Sequence, residues 1–268
     1  MPSESGLGAR RAIPFRGGGF ALEPRRWASW IAFAVTIVLW QAAVALRILD
    51  PVFLPSPLSI LLALRHLIAT GELWRHLAAS LSRIAAGWVL GTAGGIAIGL
   101  AMGLNSLARA VGVPVISTLF PIPKIALLPL FILWLGIGEP SKWAIIALGV
   151  FFPTAIATYS GIDGVPVSLV RMAQSFGLPF RAIVAKVVLP GALPSILAGF
   201  RISAATALLL VVAAEMIGAQ DGIGEFVLAE GNLMQTDQLM AGVVVLAVLG
   251  LLIGAALSAL ERWALRWR

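Results

Sequence analysis

The chain has 268 residues, 60% of them hydrophobic and only 12% charged, and its mean hydropathy of +0.99 lies far above that of a soluble domain. Lipid is therefore the solvent for most of it, and the length divides into about six spans of roughly 20 apolar residues rather than into soluble domains. The absence of cysteine excludes a disulfide framework and a thiolate metal site, and the net charge of +7 is scattered among apolar runs, which excludes a nucleic-acid surface and points to basic cytoplasmic loops.

Residues 1–26 are rich in Gly and Arg, lack apolar periodicity and read as a disordered cytoplasmic tail. The apolar run Trp27 to Leu46 predicts span one; a cleaved signal peptide is the competing reading, against which stands the long leading segment. Three prolines between Pro51 and Pro57 enforce a loop, and a short helix follows. Span two, about Ser80 to Gly103, carries Gly87, Gly91, Gly95, Gly99 and Gly103, one every four residues. They form a stripe that drifts slowly around the helix. With no side chains on it, a second helix backbone can approach, and in lipid such packing drives association. A phosphate-cradling glycine loop needs a preceding strand and a Lys-Ser/Thr ending, and neither is present.

The apolar region Val111 to Leu135 is interrupted at Pro121-Ile122-Pro123-Lys124. It predicts a kinked or broken span three, whose freed backbone groups need protein or a water-filled cavity to satisfy them. Gly136 to Lys142 reads as a turn, and span four as about Trp143 to Ser160. A less apolar stretch, Gly161 to Lys186, precedes span five at about Leu193 to Ile217. An acidic loop with Asp221, Glu225, Glu230 and Asp237 leads to span six, about Leu239 to Leu260. With the N-terminus inside, twelve basic residues fall on the cytoplasmic side and five (Arg47, Arg65, Arg75, Arg83, Lys142) outside. The positive-inside rule thus predicts both termini in the cytoplasm, the 161–186 stretch with them and the acidic loop outside.

Within the cytoplasmic stretch, Arg171 to Pro190 reads as a short helix, a break at Gly177, a second short helix, and a Leu189-Pro190 step that restarts the chain into span five. Such a rigid element is suited to receive a push from a partner. Its spacing resembles the signature of the permease subunits of ABC importers: Glu-Ala-Ala, then Gly, then Ile-x-Leu-Pro. Ala173, Gly177, Val187, Leu189 and Pro190 occupy matching positions, whereas Arg171 stands where the family has Glu and Met172 where it has Ala. The resemblance extends from about Trp27 to the C-terminus and is closest to the nitrate, taurine and aliphatic sulfonate branch, through the blocks Lys124 to Glu139 and Ala214 to Gly218.

What the resemblance implies is an all-α membrane protein of the type I importer permease fold, with residues 27–268 as the permease domain and 161–190 as its coupling segment. The segment around Gly177, including Leu178, Pro179 and Phe180, would dock into a cytoplasmic ABC ATPase, which would carry the ATP and Mg. Two permeases would pair, as a homodimer, in the inner membrane of a bacterial cell. A periplasmic or lipid-anchored binding protein would deliver a small anion such as an aliphatic sulfonate, taurine or nitrate; permeases of this branch also carry pyrimidine-type vitamin precursors.

Ionisable groups inside spans face a cavity or a partner, and three qualify: Lys124, Arg201 and Glu215. Lys124 either presents positive charge to a passing anion or snorkels in support of the broken helix. Arg201 and Glu215 are 14 residues apart on one predicted helix, about 21 Å, so each needs a partner other than its neighbour: backbone carbonyls, another helix or Lys124. His66 and His76 have no ligand spacing and read as interface or loop residues. The sequence holds no nucleotide-binding Gly-x-x-x-x-Gly-Lys-Ser/Thr motif and no recognisable catalytic or metal-ligating set. A secondary transporter would show inverted repeats and embedded coupling carboxylates, and a membrane enzyme a catalytic constellation; neither pattern is evident, and the chain reads as a transport subunit without chemistry of its own.

Overall fold

The computed structural model describes residues 26–267, so all of the expected tail except Arg26 lies outside the described residues. Helix α1 (Arg26–Ala45) is apolar over Trp30–Ala45 and has α2 (Pro57–Thr70) as its main neighbour. Ser56 starts α2, its side chain accepting from the Ser59 N–H at 3.1 Å, with Pro57 at the first helical position. Gly71, at φ +82°, ends α2 and turns the chain into α3 (Glu72–Leu104). That helix is longer at its start than the predicted span two, because Leu73, His76 and Ser80 bury a face there.

Asn105 caps α4 (Ser106–Leu119), its Oδ1 accepting from the N–H groups of Leu107 and Ala108 at 2.9 and 3.0 Å. The expected break follows. A single 3₁₀ turn, Lys124–Leu127, leads into α5 (Leu128–Leu135), and the two halves meet at 89°. Then come α6 (Glu139–Asp163), α7 (Val167–Ser175), α8 (Phe180–Ile183), α9 (Leu189–Met216), α10 (Ile223–Asn232) and α11 (Thr236–Ala264).

Leu189-Pro190 does not restart the chain as the sequence suggests. A π-helical turn, Val184–Val188, joins α8 to α9, giving one run of 37 residues from Phe180 to Met216. The wider turn explains this: proline is expelled from a helix by its ring clash and missing N–H, and a π turn immediately before it relaxes the i→i−4 ladder where the proline would break it. Four helices or runs (α3, α6, Phe180–Met216 and α11) are long and apolar enough to cross a membrane, and the bent pair makes a fifth. Among the described residues this gives four or five of the about six spans predicted, because the apolar part of α1, Trp30–Ala45, is shorter than a full span.

The glycine stripe determines the centre of the bundle. A Cβ on Gly87 would lie 2.5 Å from the Ile146 Cβ, on Gly95 2.7 Å from the Thr154 Cβ, on Gly99 2.5 Å from the Thr158 Cβ and on Gly103 2.5 Å from Ile162 Cδ1, and on Gly91 it would collide with the Ala147 carbonyl oxygen. Successive glycines meet successive turns of α6, so α3 and α6 run parallel in direct backbone contact. Gly161 abuts Ala192 and Ser195, whereas Gly149 abuts Thr206 and Leu210, so α9 runs antiparallel to both. Ile145, Ile146, Val150, Ala207 and Val211, all fully buried, fill the core between them. This order brings the starts of α3 and α6 to one end of the bundle with the finish of α9, and puts α7 at the other.

Candidate coupling and translocation sites

At the α7 end, Ala173 is the inward-facing residue of a short helix. It joins Ile162, Val165, Ile183, Val188, Ala192 and Ile196 in one apolar cluster, against which Val187 and Leu178 also pack. Gly177, at φ +69°, closes the helix: the Leu178 N–H donates back to the Ala173 carbonyl at 3.3 Å, and the Gly177 N–H to the Gln174 carbonyl at 2.9 Å. The elbow is thereby pinned by its small residues and displays its large ones. Phe176 is 77% exposed and Phe180 65%, with Val167, Met172, Pro179 and Arg171 also on the surface. Leu189 and Pro190 lie in the helix beyond, partly buried. Behind the elbow, Arg109 and Asp163 pair at 2.8 Å and tie the start of α4 to the end of α6.

The three ionisable residues expected within spans have separate partners. Lys124 turns back to donate to the Phe120 carbonyl, and its ammonium sits 4.8 Å from the ring centroids of Phe120 and of Phe152. It satisfies a backbone group beside the Pro121–Pro123 break. Arg201 pairs with Glu261 of α11, and Glu215 with neither of the others.

Glu215 is 1% exposed. Its carboxylate accepts from Ser80 Oγ at 2.8 and 3.0 Å, from Arg83 Nη1 at 2.9 Å and from the Gly224 N–H at 2.9 Å. The Arg83 guanidinium simultaneously grips Glu139, through Nε at 2.9 Å and Nη2 at 2.7 Å, and donates to the Asp221 carbonyl. Ser80 accepts from the Ile223 N–H at 2.9 Å, and the Gly222 N–H donates to His76 Nδ1 at 3.0 Å. Only glycine fits at 222, where φ is +142° and a Cβ would strike the Glu215 carboxyl carbon. One buried ionic knot thus fastens α3, α6, α9 and the loop into α10.

The sequence reading counts Arg83 and Lys142 among the basic residues of the outer side and takes His76 as an interface or loop residue. In the structure all three are buried on helices, at 5%, 5% and 4% exposure. The signal for Arg83 is Glu215 itself: an acid inside a span demands a cation at similar depth, and Arg83 falls inside the predicted span two. Outside the spans, the Glu230 carboxyl of α10 is pushed up by burial and by the negative charges of Glu72, Asp237 and Glu225, with His76 opposing. No group of His, Asp and Glu among the described residues is arranged to hold a metal ion.

Comparisons with known proteins agree with this architecture. Residues 91–267 match the family model described as binding-protein-dependent transport system inner membrane component. The permease protein SsuC of Bacillus subtilis, named for transport of aliphatic sulfonates, is 39% identical, over 88% of this chain and 85% of its own length. The taurine transport system permease protein TauC of Escherichia coli is 38% identical, over 87% of each chain. Among solved structures, the inward-facing MetNI methionine ABC transporter superposes with a TM-score of 0.58 at 24% identity, covering 69% of this chain and 92% of that one, a likeness of fold.

Proposed function

The chain belongs to the binding-protein-dependent inner-membrane transport components and is the permease subunit of an ABC importer; on that premise we propose that its solute is a small sulfonate, taurine or an aliphatic sulfonate. Support for the solute comes from the names of the relatives, TauC and SsuC. The ATPase and the solute-binding protein are the partners that the family implies.

The observation that carries the coupling role is the elbow at Gly177: buried Ala173 and Val188 hold it to the foot of the 37-residue helical run, while Phe176 and Phe180 stand exposed. A pinned element with protruding aromatics is suited to anchor in a groove of the ATPase, where ATP and Mg are bound. On this reading the α7 end and both termini lie in the cytoplasm of the cell and the Arg83 end outside, an orientation that the distribution of basic residues supports. Two copies then pair around the pathway as a homodimer, with a periplasmic or lipid-anchored binding protein at the Arg83 end.

The test is reconstitution of the importer, with its ATPase and binding protein, in proteoliposomes. ATP-dependent accumulation of labelled taurine, with competition by ethanesulfonate, is the expected result; no ATP-dependent uptake of either refutes the solute assignment. Gln174→Cys in this cysteine-free chain reports orientation: it reacts with an impermeant thiol reagent only from the cytoplasmic side.

A further inference from the structure

Among the described residues, the cations of the continuous spans have carboxylate partners: Arg83 pairs with Glu139 and Glu215, and Arg201 with Glu261. Lys124, in the broken span, enters no such pair. Its ammonium rests on the Phe120 carbonyl and on the rings of Phe120 and Phe152. Its depth makes this costly. Phe152 stands near the middle of α6, 13 residues after Glu139 and 11 before Asp163, so the ammonium against its ring lies near the midplane of the bilayer that α6 crosses. A cation at that depth is expensive unless protein or water neutralises it. Two rings and one carbonyl leave two of its three N–H donors without an oxygen acceptor.

The backbone beside Lys124 indicates what lies in front of it. Pro121 and Pro123 have no N–H to give. Across the break the Ile122 N–H donates to the Leu119 carbonyl at 3.2 Å and the Ala126 N–H to the Pro123 carbonyl at 3.1 Å, while the Pro121 and Ile122 carbonyls receive no backbone N–H among the described residues. Phe120 to Pro123, Ile125 and Ala126 are all exposed on the surface of the protomer. Open carbonyls are not tolerated against lipid tails, only against protein or a water-filled cavity. A lone ammonium set beside them in such a cavity draws anions toward it.

We propose that Lys124 selects for charge in the translocation pathway: its ammonium turns from the Phe120 carbonyl to the sulfonate group of a solute passing the midplane, and the two rings hold it between transits. An anionic oxygen binds an ammonium more strongly than a neutral carbonyl or a ring face does, so the exchange favours the solute. The proposal rests on the solute class and the paired permeases given under Proposed function, and it names the residue that reads the charge. Lys124→Met keeps the bulk and removes that reading, whereas Lys124→Arg preserves it.

The experiment uses the complete importer in proteoliposomes, its permease carrying Ile122→Cys as the sole cysteine of that chain, two residues from Lys124. Modification is timed with the water-soluble, anionic sulfonatoethyl methanethiosulfonate and with its cationic trimethylammonium analogue, each normalised to its rate with a free thiol. Both are expected to react, the anionic one about fivefold faster, as for one unit charge roughly 8 Å away in water acting with opposite sign on the two. The preference is lost on adding Lys124→Met or Lys124→Gln and kept with Lys124→Arg, and a lysine that only braced the break would not produce it. ATP-dependent uptake of ethanesulfonate falls at least about tenfold in the two neutral variants, as for the loss of a charged hydrogen bond, and recovers with Lys124→Arg. Absence of reaction, or reaction without a charge preference, overturns the proposal, and both are read with Lys124 in place. A preference or an uptake rate that survives the neutral variants overturns it as well. An importer that carries a neutral solute removes the sulfonate reading under Proposed function, while the two reagents still decide whether Lys124 charges the pathway.

Discussion

Arg83 and Glu215 are 132 residues apart in sequence and meet at 2.9 Å in the interior of the bundle. Both belong to spans, and both are nearly inaccessible to solvent, so neither can be neutralised by water. The pair costs desolvation and is compensated only because every remaining acceptor on Glu215 is filled by Ser80 and Gly224.

Breaking this pair from one side is accordingly expected to be severe. Arg83→Met leaves a buried, unpaired carboxylate and should destabilise the permease by about 3–5 kcal/mol, seen as a lower midpoint of thermal unfolding in detergent. Adding Glu215→Gln removes the orphaned charge and should recover more than half of the loss, since Glu139 retains 42% side-chain exposure and can turn to solvent. A double variant no more stable than Arg83→Met would contradict this account.

The α3–α6 contact predicts opposite outcomes for two glycines. Gly91→Leu forces a side chain into the Ala147 backbone, where even a Cβ collides, and should abolish accumulation of folded protein. Gly254→Ala in α11 meets nothing within 4 Å and should be tolerated or stabilise by up to about 1 kcal/mol through helix propensity. Expression level and monodispersity in detergent read both.

For the elbow, Phe176→Asp should leave the unfolding temperature of the isolated permease unchanged, because the ring is 77% exposed, and should reduce co-purification of the ATPase at least about tenfold, as expected for an aromatic anchor. Gly177→Val, at φ +69°, should cost about 1–2 kcal/mol of local strain and loosen coupling between ATP hydrolysis and uptake. Undiminished ATPase binding by the Phe176 variant would move the docking surface elsewhere.

Acidity gives a further handle. The carboxyl of Glu230 has its folded pKa raised, first by burial and then by Glu72, Asp237 and Glu225. The folded chain therefore holds that proton more tightly than the unfolded one. The stabilisation is fully present below the ordinary carboxylate range and is lost as pH rises through the folded pKa. Glu230→Gln should match the wild type in acid and exceed its unfolding temperature at neutral pH, with a flatter dependence between them.

Much of this arrangement is legible in the sequence where the physics is local. Glycines every fourth residue have one use in lipid, and Pro121 with Pro123 cannot lie in a continuous helix. Span ends are less legible. Arg83 and Lys142 lie within a few residues of predicted boundaries and count there as loop charges, because hydropathy has no term for a cation whose partner comes from another helix. Leu189-Pro190 misleads for a related reason: proline forbids the ordinary helical ladder, and a π turn is an alternative that composition does not announce.

That π turn has a mechanical consequence. Because of it the run from Phe180 to Met216 continues unbroken for 37 residues, roughly 55 Å of helix. Glu215 is one residue from its far tip. If the elbow docks as proposed, a displacement imposed there has one continuous helical run by which to reach the ionic knot at the opposite mouth of the bundle.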